Sequence, residues 1–212
     1  MIDQPVAQHP VAPGGKPKLD KSVDILDTWH AMEELVDAGL VKGIGISNFA
    51  KWQVEQILDG GRIRPTAHEF ETHPYLQQQS FVDWNRKQDI QVIAYSPFGN
   101  INPIYKGKHP NLPRSLEHPL FVDLAKSYNT TPAQIILAWG MQRGTIVIPK
   151  SIHEDRILEN LGALDIRLSE DDVKSITEMD KKARFNDPGK SWGVHLFSDL
   201  DGGERITEVE DM

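Results

Sequence analysis

The 212-residue sequence contains no cysteine. That removes disulfides, thiolate catalysis and cysteine-ligated zinc together. No apolar run approaches the roughly 20 residues needed to span a bilayer. The N-terminus, Met1-Ile2-Asp3-Gln4-Pro5, has no basic segment followed by an apolar one, so no signal peptide is expected. Cations are in deficit. The 23 Lys and Arg against 31 Asp and Glu leave a net charge of -8, which argues against a general nucleic-acid binder, because neutralising phosphates takes clustered cations. The eight histidines show no HxxxH spacing and no carboxylate cluster, so no metal site is expected. There is no internal repeat and no heptad array. What is present is an ordinary globular composition, 39% hydrophobic and 25% charged, long enough for one domain with a sizeable core. A cytoplasmic enzyme fits these bounds.

Turn and periodicity signals divide the chain. Residues 8–21 read as a loop broken by Pro10, Pro13, Gly14, Gly15 and Pro17. A helix follows, with Asp27 as N-cap, Trp29, Met32, Leu35 and Val36 at helical spacing, and Gly39 at its C-terminal end. Strands are predicted over residues 41–47, 67–72, 90–95 and 145–149. Helices are predicted over 48–58, 77–88 and 119–128, and from Thr131-Pro132, Glu154 and Ser169. Residues 98–118 form a long loop, of the kind that is usually functional or mobile. A meandering tail runs from 181 to 212. Short strands alternating with helices imply parallel βαβ units. Pattern alone does not separate half a barrel from a small open sheet.

Chemistry is expected where strands end and helices begin. In Pro149-Lys150-Ser151-Ile152-His153-Glu154-Asp155-Arg156, Ser151 and Glu154 stand three apart, as in a capping box. The free N–H groups and positive dipole end of that helix, with Lys150 and Arg156 beside it, suit a phosphate. A capped helix with two solvated charges gives the same pattern. Ser47-Asn48 lies at a second such junction and suits an amide, or caps a helix. Tyr95-Ser96 lies at a third, where Tyr95 offers a flat face for a ring or simply packs in the core. Glu69 and Glu71 are two apart on one strand and so share a face, where they need partners or a ligand. His73 reads as a capping or packing residue.

Taken in order, several segments resemble the aldo-keto reductase superfamily. They are Leu26-Asp27-Thr28-Trp29 with Met32-Glu33-Glu34-Leu35; Gly43-Ile44-Gly45-Ile46-Ser47-Asn48-Phe49; Glu71-Thr72-His73-Pro74-Tyr75-Leu76-Gln77; Tyr95-Ser96-Pro97-Phe98-Gly99; Thr131-Pro132-Ala133-Gln134; and Ile148-Pro149-Lys150-Ser151 with Arg156, Glu159 and Asn160. The tail, with Arg184-Phe185-Asn186-Asp187-Pro188, Trp192-Gly193 and Phe197, is similar to fungal members of the NADP-dependent glycerol dehydrogenase or glyceraldehyde reductase branch. The resemblance implies an α/β fold, the (β/α)8 TIM barrel, truncated here to about its C-terminal half, as a single domain over 1–212. The active site would lie at the C-terminal mouth. It implies hydride transfer between NADPH and the carbonyl of a small aldehyde or ketone, a sugar or a polyol. By position, Ser47 and Asn48 would bind the nicotinamide carboxamide, with Glu69 where the family usually has a glutamine for the same group. Tyr95 would stack on the nicotinamide, and Ser96 and Phe98 would line the pyrophosphate path. Lys150, Ser151 and Arg156 would hold the 2′-phosphate, and Glu159 and Asn160 would contact the adenine. Trp192 and Phe197, in an active-site tail over 181–212, would face the substrate.

The same resemblance marks departures. The family's catalytic tyrosine, aspartate and lysine come from the first three strands, and the chain begins at about the end of the fourth. Asp3 and Gln4 stand where the family has a histidine and a tryptophan, so none of the four catalytic residues is expected. An ionised Glu69 would carry a desolvation cost. Open sheet edges and uncovered apolar surface would follow, with self-association through them. Three readings stand side by side: one part of a reductase, a catalytically inactive NADP(H)-binding module, or a truncated fragment whose Met1 is an internal start.

Overall fold

The first helix starts earlier than the apolar spacing suggests. In the computed structural model, which describes residues 22–102, 107–187 and 197, α1 spans Ile25–Asp37 and its N-cap is Asp24. Asp24 Oδ1 accepts from the Leu26 N–H at 2.7 Å, and the Asp24 N–H donates to Asp27 Oδ2 at 3.4 Å. Asp27 is therefore the reciprocal partner of a capping box rather than the cap itself. The helix ends in a Schellman motif. Gly39 takes a φ of 70°, its N–H donates to Val36 O, and the Leu40 N–H donates to Leu35 O.

The described residues fall into two compact units. The first contains α1 and α2 (Lys51–Gly60). Here Trp29, Val54 and Ile57 are buried. Trp29 Nε1 donates to Ile63 O at 2.9 Å. Glu33 is buried, and no Lys or Arg side chain forms an ion pair with it among the described residues. Its Oε1 instead accepts from the backbone N–H groups of Arg62 and Ile63, each at 2.6 Å. The Ile63 donor, with His30 and Arg62 after it, holds the Glu33 carboxyl below the ordinary range despite burial. A Cβ on Gly61 would lie 2.7 Å from the Trp29 ring, so glycine there permits the close approach.

The second unit, Gly45–Phe49 with Pro65–Asn186, is built on four parallel strands in the order β1 (Gly45–Ser47), β2 (Ala67–Glu71), β3 (Gln91–Tyr95) and β4 (Ile146–Val147). Ser47 pairs with Glu69, Glu71 with Tyr95 and Ala94 with Val147. β1 and β4 are shorter than their apolar runs suggest, and among the described residues each pairs with one neighbour. A Cβ on Gly45 would meet Ala67 O at 2.7 Å, so glycine sets the β1–β2 contact. One face of the sheet carries Ile46, His68, Phe70, Val92 and Ala94, all buried. The other carries Ser47, Glu69, Ile93, Tyr95 and Ile146, which are half-buried or exposed. A parallel sheet normally has both faces covered.

Helices α3 (Gln79–Lys87), α4 (Pro119–Ser127), α5 (Pro132–Gln142), α6 (Glu154–Leu161) and α7 (Glu170–Thr177) complete this unit. Thr131 caps α5 with Pro132 at its first position, and Ser169 caps α7 by accepting from the Asp172 N–H. α5 is buried continuously from Ile135 to Gly140, which explains its apolar character on every side. It is the centre of a core with Phe121, Leu124, Ile176, Met179 and Phe185. Arg143, following α5, donates to Gln77 O at 2.6 Å and to Thr72 Oγ1 at 3.1 Å, and lies 4.7 Å from the Trp139 ring. The α6 helix is the exception. No residue of it is buried, and Ile157, Leu158 and Leu161 are 53%, 62% and 63% exposed. Together with Leu137, Met141 and Val147 they line an open cavity of about 330 Å³.

Candidate functional site

The C-terminal ends of β1, β2 and β3 converge on the Tyr95 hydroxyl. The chain leaves β1 through Asn48, whose φ of 57° turns the backbone sharply. Asparagine tolerates this region better than most residues. The Asn48 N–H donates to Glu69 O at 2.8 Å. The next N–H, of Phe49, donates to His68 Nε2 at 3.1 Å. Because that nitrogen accepts, the ring proton sits on Nδ1, which donates to Asn85 Oδ1 at 3.0 Å. His68 is fully buried, and burial pushes its pKa down to about 4, against the raising effect of Asn85. A buried neutral histidine therefore holds the Ser47-Asn48-Phe49 turn.

Tyr95 donates its phenolic proton to Asn48 Oδ1 at 2.9 Å. It accepts from Asn186 Nδ2, also at 2.9 Å. Asn186 is delivered by Glu71, which is fully buried at the end of β2. Glu71 Oε1 accepts from the Phe185 N–H and Oε2 from the Asn186 N–H, both at 2.8 Å. His73 Nε2 donates to Oε1 at 3.0 Å, and Arg184 Nη1 lies 4.0 Å from Oε2. Burial raises the Glu71 pKa, but the His73 hydrogen bond and charge and the two backbone donors outweigh it, and the net direction is down. Lys108 Nζ adds a bond to Phe185 O at 2.7 Å. The long loop is stitched down as well: Ser115 Oγ donates to Phe98 O, and the Asn100 side chain bridges Pro113 O and the Ser115 N–H.

The remaining candidates fall as follows. Ser47 is exposed and has Asn48 Nδ2 at 3.4 Å from its Oγ. Glu69 is half-buried, so the desolvation expected of it is incomplete. Ser96 takes a φ of 48°. The Phe98 ring is buried in the core, so only its backbone is placed to meet a ligand. Lys150 and Arg156 are exposed and Ser151 half-exposed, and neither cation forms an ion pair among the described residues. The Ser151–Glu154 capping box does not form. Ser151 Oγ instead accepts from the His153 N–H at 3.1 Å, and the N-cap is His153, with no side-chain cap bond. The first-turn N–H groups of α6 are thus left without a side-chain cap. Glu159 and Asn160 are half-exposed on that helix. Phe197 is buried, whereas Asp3, Gln4 and Trp192 lie outside the described residues. No group of three or more His, Asp or Glu suited to a metal occurs among the described residues, and no helix there is long and apolar enough to cross a membrane.

The sequence model of the Aldo/keto reductase family matches residues 17–181. The chain belongs to this family. Its parallel strands and helices accord with the family's (β/α)8-barrel type of fold, of which the described residues hold four consecutive strands. The chain is 40% identical over 172 residues to the NAD(P)H-dependent D-xylose reductase of Kluyveromyces lactis, covering 80% of this chain and 52% of that protein. It is 39% identical to the NADH-dependent D-xylose reductase of Candida parapsilosis, over 92% of this chain and 64% of that protein. It is also 39% identical to aldo-keto reductase family 1 member A1 of Gallus gallus, over 83% of this chain and 53% of that protein. The chain spans about half the length of most of these aldo/keto reductases. Their names include both NADH- and NADPH-dependent enzymes.

Two functional features were missed by reading the sequence. His68 could have been found from the period of two along β2, which sets it opposite Glu69 and Glu71, on the helix-covered face, where a histidine must have partners. Asn186 is 91 positions from Tyr95, and no local pattern signals that pairing.

Proposed function

We propose that this chain is the cofactor-binding part of an NADP-dependent aldo/keto reductase, acting on the carbonyl of a small aldehyde, ketone or open-chain sugar. The observation that carries this reading is the pair of exposed cations, Lys150 and Arg156, at the uncapped N-terminus of α6. Backbone N–H groups, helix dipole and two charges of the required sign suit a phosphate monoester. Ser47, Asn48 and Tyr95 would receive the nicotinamide end. When bound, the nicotinamide supplies or takes the hydride. The chain's own residues would bind and orient it. Tyr75, Tyr95 and Tyr128 each donate their hydroxyl proton inside the chain, to Pro113 O, Asn48 Oδ1 and Asp172 Oδ2 respectively. None of these three is therefore disposed as a proton donor to a carbonyl. This favours binding without turnover by the chain alone.

The test is titration of the purified chain with NADPH and NADH, followed by tryptophan fluorescence. Lys150→Ala with Arg156→Ala is expected to weaken NADPH by about 10- to 100-fold, the loss of one to two charge-assisted contacts. NADH should change by less than about threefold. Equal losses for the two nucleotides would sink the 2′-phosphate assignment.

Self-association belongs to the same proposal, through the exposed apolar side of α6. Ile157→Lys with Leu161→Lys is expected to leave stability within about 0.5 kcal/mol, because both side chains are already more than half exposed. It should also lower the weight-average mass in sedimentation at high concentration. A large loss of stability, or an unchanged mass distribution, would count against that surface.

A further inference from the structure

We infer that Asn186 is a positioning residue for the nicotinamide end of the site, acting through the Tyr95 hydroxyl to set which end of the Asn48 amide a ligand meets. The inference rests on the cofactor reading above and assigns a role to a residue remote from it in sequence. The argument is one of hydrogen-bond direction. A phenol has one proton to give. Asn186 Nδ2 donates to the Tyr95 oxygen at 2.9 Å, so the Tyr95 proton must go elsewhere, and its acceptor is Asn48 Oδ1 at 2.9 Å. Asn48 Oδ1 is thereby occupied, and Asn48 Nδ2 becomes the end available to a ligand. Its contact with Ser47 Oγ is long, 3.4 Å, and an amide nitrogen has two hydrogens. Asn48 then presents a donor, suited to the oxygen of a carboxamide.

Asn186 can impose this direction because its own backbone is fixed. Its N–H and that of Phe185 are both held by the buried Glu71 carboxylate at 2.8 Å. Asn48 is fixed equally well by its bond to Glu69 O and by the His68–Phe49 bond beside it. Asn186, Tyr95 and Asn48 thus form a directional relay between two rigid backbones. Reversing the first member reverses the rest: an aspartate at 186 accepts from Tyr95, withdraws the proton from Asn48 Oδ1 and frees the Asn48 amide to turn its oxygen to the ligand.

The experiment uses the full chain and two probes, NADPH and adenosine 2′,5′-bisphosphate, which carries the 2′-phosphate and adenosine but no nicotinamide. Asn186→Asp, nearly isosteric with asparagine, is expected to weaken NADPH by about 5- to 10-fold, one hydrogen bond's worth. It should leave the bisphosphate within twofold. Tyr95→Phe, which removes the relay's middle oxygen, serves as the second variant. The Asn186→Asp change made on top of it should cost NADPH binding less than twofold more, because the two residues act as a unit. The proposal is overturned if Asn186→Asp leaves NADPH binding unchanged, if both probes weaken equally, or if the two substitutions are additive. Failure of the cofactor reading looks different: the unmodified chain then binds neither probe, and the positioning role falls with it.

Discussion

Glu71→Ala is expected to lower the unfolding free energy by about 3–5 kcal/mol, read from urea denaturation at neutral pH. The carboxylate is fully buried and takes three donors: the Phe185 N–H, the Asn186 N–H and His73 Nε2. Alanine leaves all three without an acceptor in a place water does not readily reach, and each such orphan costs about 1–3 kcal/mol. The lower part of that sum is the realistic expectation, because the 183–186 segment can lift and hydrate some of them. Glu71→Gln keeps the shape but turns an NH2 group toward one donor, so its loss should be intermediate. The pH dependence has a definite sign. The folded-state pKa lies below the ordinary carboxylate value, so this stabilisation is fully present above the ordinary range and is lost as pH falls through the depressed one. A loss below about 1 kcal/mol for the alanine variant would mean that Glu71 does not clasp this segment.

The clasp also shows where sequence reading stops. The four strands and the helices that follow them were legible because each is governed by a local period, two or 3.6 residues, and by turn residues between. Local chemistry at the junctions was only half legible. Ser151 and Glu154 have capping-box spacing, yet Ser151 is taken by the His153 N–H and the helix begins later. Asp24-Ile25-Leu26-Asp27 is the box that does form, one turn before the apolar stripe called attention to itself. Ser47, Asn48 and Tyr95 could be placed at one end of a parallel sheet from strand direction alone. The pairing of Glu71 with residues 185 and 186 could not, because it joins a strand end to a segment outside any periodic element. The exposed apolar side of α6 is the reverse case. A helix from Glu154 was expected, but periodicity specifies only that a face is apolar, not what covers it.

Stability should fall by about 3 kcal/mol between pH 6.5 and pH 4 through His68 alone. His68 is wedged between Phe70 and Phe81, with ring centroids at 4.9 and 5.5 Å. Both its nitrogens are committed, one accepting from Phe49 and the other donating to Asn85. Asn85 is itself tied to Phe81 O through Nδ2 at 2.9 Å. Burial holds the ring neutral down to about pH 4 in the folded chain, from an ordinary 6.5. The unfolded chain therefore takes up a proton in that interval and the folded one does not. The stabilisation is complete above pH 6.5 and is lost progressively as pH falls toward 4, at about 1.4 kcal/mol per pH unit. Urea midpoints measured at half-unit steps from pH 7 to pH 4.5 give the slope. His68→Gln has no proton to bind and should flatten it by close to that amount, whatever its own cost at pH 7. An identical slope in both proteins would rule His68 out as the acid-labile group. Protonated His68 has no lone pair left for the Phe49 N–H, so the turn holding Ser47 and Asn48 loses this anchor only where the folded ring is protonated, near pH 4. NADPH affinity of the folded chain should accordingly hold from pH 6.5 down to about 4.5 and decline only as pH nears 4, where folded His68 takes up its proton.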